Sequence, residues 1–303
     1  MTFFADETKL GSATVTHQSA RKRRVTPSAV ARAVVVVSVL VFGGRILWRS
    51  VPFVAASYAA WAGIFFAAGA LVALLCLPQW LGIRTRKQAG ILFVLGVAVT
   101  ATALLSPSPS TRSSNSKYRI DDFLPQFSWV EYHEARTQAS LERVLESLHH
   151  VTIEDMPGVP LLLGLRALAG GKLSPPMADP EPLLDSMVQP GSGFLVLDAS
   201  DAKELVYGIV GRPWTNQPPP PVNTPEEFRA LDAPGQIRVA FSFRVEREPA
   251  GTIKLSTETR ILGNDREAQR SFDRYWRLIY PGSAIIRRVM LDAIIARAER
   301  SAP

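Results

Sequence analysis

Residues 251–262 read GTIKLSTETRIL, and they lie between the turn EREPAG at 246–251 and the helical pattern DREAQRSFDRYW at 265–276. Residues that favour β-structure fill this stretch and alternate with polar ones, which is typical of a strand with two different faces. The preceding stretch, QIRVAFSFRVEREP at 236–249, alternates in the same way. Because proline and glycine separate the two stretches, we expect a long β-hairpin followed by a helix.

The two faces of this hairpin differ in polarity. Its apolar face carries Phe241 and Phe243 on the first strand, and the hydroxyl residues Thr257 and Thr259 on the second. The two threonines are candidate ligand contacts, with ordinary β-branched core packing as the alternative. On the opposite face the charged residues of both strands coincide, so we expect a solvated surface of cross-strand ion pairs. These charged residues are Arg238, Arg244, Glu246, Lys254, Glu258 and Arg260.

A long C-terminal helix is predicted over residues 265–300. Phe272, Tyr275 and Trp276 recur at helical spacing, so they share the face that packs against the sheet. Pro281 and the glycine after it are expected to break or kink this helix.

Upstream of the hairpin, extended and helical patterns follow one another. Residues 129–139 alternate like a strand, with Val130, Tyr132 and Glu134 on one side, and a helix follows the capping residue Ser140. The other expected elements are a short helix at 159–170, a helical turn at 183–187, and two paired strands at 193–201 and 203–214. The pattern predicts an α+β domain in which an antiparallel sheet wraps on the long C-terminal helix.

The N-terminal third of the chain is apolar rather than amphipathic. A bilayer is crossed by about 20 apolar residues in a helix. Three stretches approach or exceed that length, at 28–48, 51–78 and 88–105, and predict three transmembrane helices within residues 28–105.

The remaining segments complete the predicted organisation. Residues 1–27 form a polar, basic tail that we expect to be disordered. A Ser- and Pro-rich linker covers 106–117, and a domain that should fold on its own covers 118–303. The single cysteine allows no disulfide framework.

Positive charge is concentrated beside the apolar segments. Residues 1–106 hold eleven Lys and Arg against two Asp and Glu, a net of +9, so the rest of the chain contributes −2 to the total of +7. This distribution is typical of membrane topology and argues against nucleic acid as a partner. RKRR at 21–24 and RTRK at 84–87 hold seven basic residues, against five beside the other span ends.

This difference predicts a multi-pass protein of the cell membrane whose C-terminal domain faces the extracytoplasmic side. A first segment that only lies in the membrane interface would leave two spans. The domain would then lie on the other side, unless the N-terminus changes side too.

Three motifs carry a resemblance to a known family: GRPW at 211–214, STETR at 256–260 and FDRYWRLIYPGSAIIRR at 272–288. Together with the order of elements, they make residues 118–300 similar to uncharacterised bacterial members of the START-like superfamily, also labelled SRPBCC or polyketide-cyclase-like. The resemblance implies a helix-grip fold whose curved sheet and C-terminal helix enclose an apolar cavity for a lipid, sterol or polyketide. Carriers and enzymes alike share this fold, so it does not select a function.

The chain shows no Walker loop, dinucleotide fingerprint or nucleophile elbow, and we expect neither a cofactor nor a metal. His149 and His150 are adjacent on a helix, so their side chains diverge and do not suit one ion. The candidate cavity-lining residues are Trp214, Phe241, Phe243, Thr257, Thr259, Phe272, Tyr275 and Trp276.

The leading hypothesis for function is binding of a hydrophobic or lipid-like small molecule by a domain anchored in the lipid bilayer, without catalysis. One alternative is a cyclase- or hydrolase-like enzyme in which Tyr275, Thr257 or His133 serves as acid or base. The other is a structural or interaction module whose groove is filled by side chains.

Overall fold

The computed structural model describes residues 53–76, 85–114, 118–169, 181–215, 217–249 and 251–300. The predicted first span, residues 28–48, and the tail before it lie outside these ranges. The described chain consists of an apolar helical hairpin followed by an α+β unit with a five-stranded antiparallel sheet and a long C-terminal helix.

The hairpin consists of α1, Phe53–Cys76, and α2, Arg86–Leu104, which correspond to the second and third predicted spans. By length and composition both helices could cross a membrane, and most of their surface faces outward. They approach closely at Gly63 and Gly96, since a Cβ on Gly63 would lie 2.7 Å from the Gly96 carbonyl oxygen. Small residues at a crossing let membrane helices pack in a lipid environment, where burial of apolar surface gives no driving force.

Five strands form the sheet in the spatial order β3, β7, β6, β5, β4. The first strand of the sheet therefore pairs with the last, and among the described residues its other side is a free edge. Two shorter strands pair with each other outside this sheet. The strands are β1, Arg112–Ser113; β2, Gln126–Phe127; β3, Trp129–Thr137; β4, Phe194–Asp201; β5, Glu204–Gly211; β6, Ile237–Arg247; and β7, Ile253–Gly263.

The helices of the α+β unit include one that the sequence did not indicate, α6. The N-cap residue Ser140 accepts from the Arg143 N–H, as the sequence predicted for the start of α3. The helices are α3, Leu141–His150; α4, Val159–Ala169; α5, Leu183–Met187; α6, Pro225–Ala230; and α7, Arg266–Arg300, with 3₁₀ turns at Arg119–Asp122 and Ile153–Asp155.

The predicted β-hairpin is β6–β7, and its predicted inner face is confirmed. Phe241 pairs with Thr259, and Phe243 pairs with Thr257. All four side chains are buried on the side of the sheet that α7 covers. Alternation with a period of two therefore identified the inner face correctly.

The charged face of this hairpin is buried, which corrects the predicted solvated surface. Arg260 is 1% exposed and Arg244 is 5% exposed. The segment 118–127 folds across this face, and Asp121 within it lies 2.5 Å from the Arg260 guanidinium. Glu258 accepts from Arg260 at 2.7 Å and lies 3.6 Å from Arg244. Strand alternation shows which residues share a face, but not that a distant segment covers it.

The helix α7 runs without interruption through Pro281, so the proline–glycine pair does not break it. Proline has no N–H, which leaves the carbonyl of Arg277, four residues earlier, without its helical donor. The hydroxyl of Ser57 in α1 donates to that carbonyl instead. The indole of Trp61, one turn later in α1, donates to the Leu278 carbonyl at 2.9 Å. The hairpin therefore packs against α7 where the proline frees its backbone.

Candidate functional site

The residues predicted to line a cavity lie in and between two apolar clusters that separate the sheet from α7. Phe241 and Phe243 belong to the larger one, and Phe272 and Trp276 to the smaller one. Burial of Phe272 and Trp276 confirms the predicted phase of the helix. Trp214 and Tyr275 are half-buried beside them.

Between the two apolar clusters, the inner face of the sheet is polar. Glu131 and His133 of β3 are 3% and 8% exposed, and they pair in the sheet with Thr259 and Thr257. The His133 Nε2 lies 2.9 Å from a Glu131 carboxylate oxygen. Ser283 of α7 donates to the other oxygen at 2.8 Å. We call these five residues the polar cluster.

Two further groups of α7 face the polar cluster. The guanidinium carbon of Arg287 lies 5.0 Å from the centre of the Phe241 ring. Burial lowers the pKa of Arg287, and the Glu131 carboxylate opposes that shift. Burial also raises the pKa of the Tyr280 phenol, and the charge of Glu131 raises it further. Glu131 itself is 3% exposed, so its charge acts on both groups through a region largely shielded from water.

One member of the polar cluster is unsatisfied. The Thr257 hydroxyl is buried and has no hydrogen-bond partner among the described residues. Leaving such a group unpaired costs about 1–3 kcal/mol. A polar group that entered beside His133 would find this hydroxyl available as donor or acceptor.

An open cleft of about 540 Å³ reaches the polar cluster at His133. It runs between the free edge of β3 and α7. Its volume falls within the roughly 300–1,000 Å³ of small-molecule sites. The lining residues are Tyr132, His133, Glu134, Arg288, Leu291 and Asp292. None of the eight predicted cavity-lining residues is among them, so their role in binding stays a prediction.

A second open cleft, of about 410 Å³, lies on the outer side of the sheet and includes Arg244, Glu204 and Glu246. The Arg244 guanidinium carbon sits 3.4 Å from the centre of the Tyr118 ring. Burial raises the pKa of Glu204, whereas its bonds to backbone N–H groups and the charge of Arg244 lower it. Because these charges are paired with one another, we assign this region a structural role.

Arg277 of α7 holds the end of α2. It is 1% exposed, and Asp273, one turn earlier, lies 2.8 Å from its guanidinium. Asp273 also accepts from the Trp129 indole at 3.2 Å. The last carbonyls of a helix lack intrahelical donors and carry partial negative charge, which suits a guanidinium with five N–H groups. Arg277 donates at 2.9–3.2 Å to the carbonyls of Ala103, Leu104, Ser106 and Pro107.

This contact changes the interpretation of residues 106–117, which the sequence predicts to be a linker. Two of the carbonyls that Arg277 binds belong to this segment. The strand β1 also lies within it and pairs with β2. The described part of the segment is therefore a structured connection between the hairpin and the α+β unit.

Sequence reasoning singled out His133 only as an alternative acid or base, and it missed Glu131, Asp273 and Arg277. A signal existed for the last two, because Asp273 and Arg277 are spaced i, i+4 and Pro281 follows at the same interval. Glu131 carried no such signal, because a charged residue on an alternating strand is normally assigned to the solvent face.

Within the described residues, no group of three or more metal-ligating side chains is arranged to hold an ion. His149 and His150 are both exposed, and the His150 Nδ1 lies 2.8 Å from the Glu146 carbonyl oxygen. Asp155, the nearby carboxylate that follows α3, pairs with Arg297 at 3.4 Å.

Comparison with known proteins gave no match: no family model fits the sequence, and neither curated proteins nor solved structures show significant similarity.

Proposed function

We propose that this chain is a membrane-anchored protein whose α+β domain binds a lipid-like amphiphile without catalysing its conversion. The observation that carries the proposal is the polar cluster at the inner end of the open cleft. A buried carboxylate, imidazole and unpaired hydroxyl cost stability in an otherwise apolar seam. A few polar groups that converge beside a cleft in an otherwise apolar region are candidates for a binding site.

The cleft suits an amphiphile better than a purely apolar molecule. A polar head entering it meets His133 first and the hydroxyl of Thr257 beyond it. An acyl chain or ring system that extends further must displace side chains of the larger apolar cluster, such as Phe241 and Phe243. The cavity that the resemblance to the START-like superfamily implies would then form on binding.

The position of the cleft beside the hairpin supports a ligand taken from the membrane. Arg288 and Leu291 follow Arg277 by eleven and fourteen residues, so they lie within about 40° of it around α7. Arg277 contacts the hairpin, so the cleft opens on the same flank of α7, roughly 15–20 Å further along the helix.

We further propose that the hairpin, together with the predicted span at 28–48, places the domain on the extracytoplasmic side. Arg277 holds the C-terminal end of α2 beside the domain. Arg86 and Lys87 begin α2 at the far end of the hairpin. Basic residues next to a span favour the cytoplasm, so the opposite end and the domain face outward.

The test is native mass spectrometry of the full-length protein, with extraction and identification of what co-purifies. We expect an amphiphile bound to the wild-type protein and its loss from His133→Phe, which keeps the ring volume but removes the polar edge. Glu226→Gln on the exposed surface of α6 is the control and should keep the ligand. Equal occupancy in all three proteins, or no bound molecule at all, contradicts the proposal. The latter result would favour a module with a filled groove.

A catalytic alternative is favoured by one observation, the contact of His133 with Glu131 at 2.9 Å. A carboxylate that orients an imidazole is a common arrangement for general acid–base chemistry. Incubating the extracted amphiphile with fresh protein tests it. Catalysis predicts a change in ligand mass with the wild-type protein and an unchanged mass with Glu131→Gln, which preserves the shape of the side chain.

A further inference from the structure

The helix α7 crosses α1 instead of running along it. Between Phe53 and Trp61, α1 advances by about 12 Å. Over that distance Phe53, Ser57 and Trp61 contact a short stretch of α7, at Tyr280, Arg277 and Leu278 respectively. With α1 crossing the bilayer, α7 therefore lies roughly parallel to the membrane plane.

The same contacts show which side of α7 faces the bilayer. Phe53, at the start of α1, meets Tyr280, which packs into the smaller apolar cluster on the sheet side of α7. Trp61, two turns deeper, meets the backbone of Leu278, which lies away from the sheet. Further along α1, Phe65 is 68% exposed, as expected for a lipid-facing residue. The apolar layer therefore begins near Trp61, beneath the face of α7 that points away from the sheet.

That face carries a basic stripe with one exposed apolar side chain. Arg270, Arg274 and Arg288 are exposed and form no ion pair with any described residue. Ile285 lies between them on the helix and is 50% exposed. All four point within about 80° of Leu278 around the helix. The acidic residues on this side are Glu267 and Glu299 near the two ends of the helix and Asp292, one turn after Arg288, so no acidic residue of this face lies between Arg270 and Arg288.

We propose that this outward face of α7 is a membrane-surface contact that binds anionic phospholipid headgroups. A guanidinium matches phosphate in bidentate geometry, and a basic helix with an apolar residue on the same face is typical of helices that lie in the membrane interface. The contact continues the packing of α7 on the hairpin. It rests on the membrane anchoring proposed above, but not on a ligand in the cleft.

The test uses full-length protein in vesicles of phosphatidylcholine and phosphatidylglycerol in equal parts. Spin-labelled forms of each lipid report the ratio of their association with the protein. The wild-type protein should prefer phosphatidylglycerol, and Arg270→Gln with Arg274→Gln, which leaves the cleft residue Arg288 unchanged, should reduce the preference by at least about fivefold, the factor that one basic residue at a surface contributes. The matched control is Arg119→Gln with Arg229→Gln, which removes the same charge from exposed positions away from α7. Equal preference in both double variants would overturn the proposal.

A second measurement reports the position of Ile285 directly. A nitroxide is attached at Ile285→Cys, with the single native cysteine changed to serine. Its EPR signal should be relaxed more by a lipid-soluble paramagnetic agent than by a water-soluble one. The same label on Val196→Cys, an exposed position of β4, should show the reverse. Equal relaxation of the EPR signal by each agent at both positions overturns the contact. If the protein does not co-float with the vesicles in a density gradient, both this contact and the proposed membrane anchoring are wrong. If only the cleft ligand is missing in the mass-spectrometry test, neither of the two is contradicted.

Discussion

Arg277→Ala should destabilise the protein through two losses at once. The substitution removes the donor to the backbone carbonyls at the end of α2. It also leaves the carboxylate of Asp273 buried, 3% exposed, without its cation. Removing one partner of a buried ion pair costs about 3–5 kcal/mol, because the remaining charge is desolvated and unpaired. We expect a loss of that size in the free energy of unfolding at pH 7.

The loss should depend on pH. Burial already raises the pKa of Asp273 to about 6, although Arg277 and the Trp129 indole lower it. Without Arg277 the pKa of the carboxyl rises further, so at pH 5 the group is protonated and its burial costs less. The destabilisation caused by Arg277→Ala should therefore be smaller at pH 5 than at pH 7.

The assay is urea unfolding of the full-length protein in detergent micelles, followed by tryptophan fluorescence. Arg266→Ala, an exposed arginine at the start of the same helix, is the control and should change the free energy of unfolding by less than about 0.5 kcal/mol. Adding Asp273→Asn to Arg277→Ala should restore part of the loss at pH 7. A loss below about 1 kcal/mol, or the same loss at both pH values, would refute the role assigned to Arg277.

Three further predictions follow from other parts of the structure. In Asp273→Asn, the unfolding free energy should fall less between pH 4 and pH 7 than in the wild-type protein. The folded pKa of about 6 lies above the ordinary 3.8, so the protonated carboxyl stabilises the folded state fully below pH 3.8. About 3 kcal/mol of this stability is lost as pH rises through 6. An equal slope of the unfolding free energy against pH in both proteins would exclude this. Glu258→Ala should cost about 3 kcal/mol in urea unfolding, because it removes a carboxylate partner from the buried guanidinium groups of Arg260 and Arg244, while the exposed Glu226→Ala should cost little. Alkaline phosphatase fused after the C-terminal residue should be active, since its disulfides form outside the cytoplasm, and an inactive fusion with an active cytoplasmic reporter would reverse the orientation.

Local periodicity was enough to predict much of the fold. The alternation in 236–262 predicted the β6–β7 hairpin and its inner face, because successive side chains of a strand point to opposite sides. The spacing of Phe272 and Trp276 predicted the buried side of α7 for a similar reason, since residues three or four apart share a helix face. The two described apolar helices were visible from their length and composition alone.

The candidate site was less accessible to this reasoning. His133 and Glu131 alternate with Val130 and Tyr132, and polarity alone favoured neither face of β3 as the buried one. The buried face is the one that contains the charged pair, because it pairs with Thr257 and Thr259 of a strand more than a hundred residues later. A charge is buried where distant partners satisfy it, and those partners are not part of the local pattern.

By itself, the sequence determined the long helices and the strands of the sheet, which of their side chains share a face, and that the N-terminal third is apolar and basic. Only the tertiary structure decided which faces are closed: segment 118–127 buries Arg260, and Arg277 joins α7 to α2. Pro281 shows the difference most directly. Its missing N–H is a local property that the sequence reveals, but whether the freed carbonyl breaks the helix or binds a partner depends on Ser57, which lies 220 residues from Arg277 in the chain and reaches it only when the hairpin packs on α7.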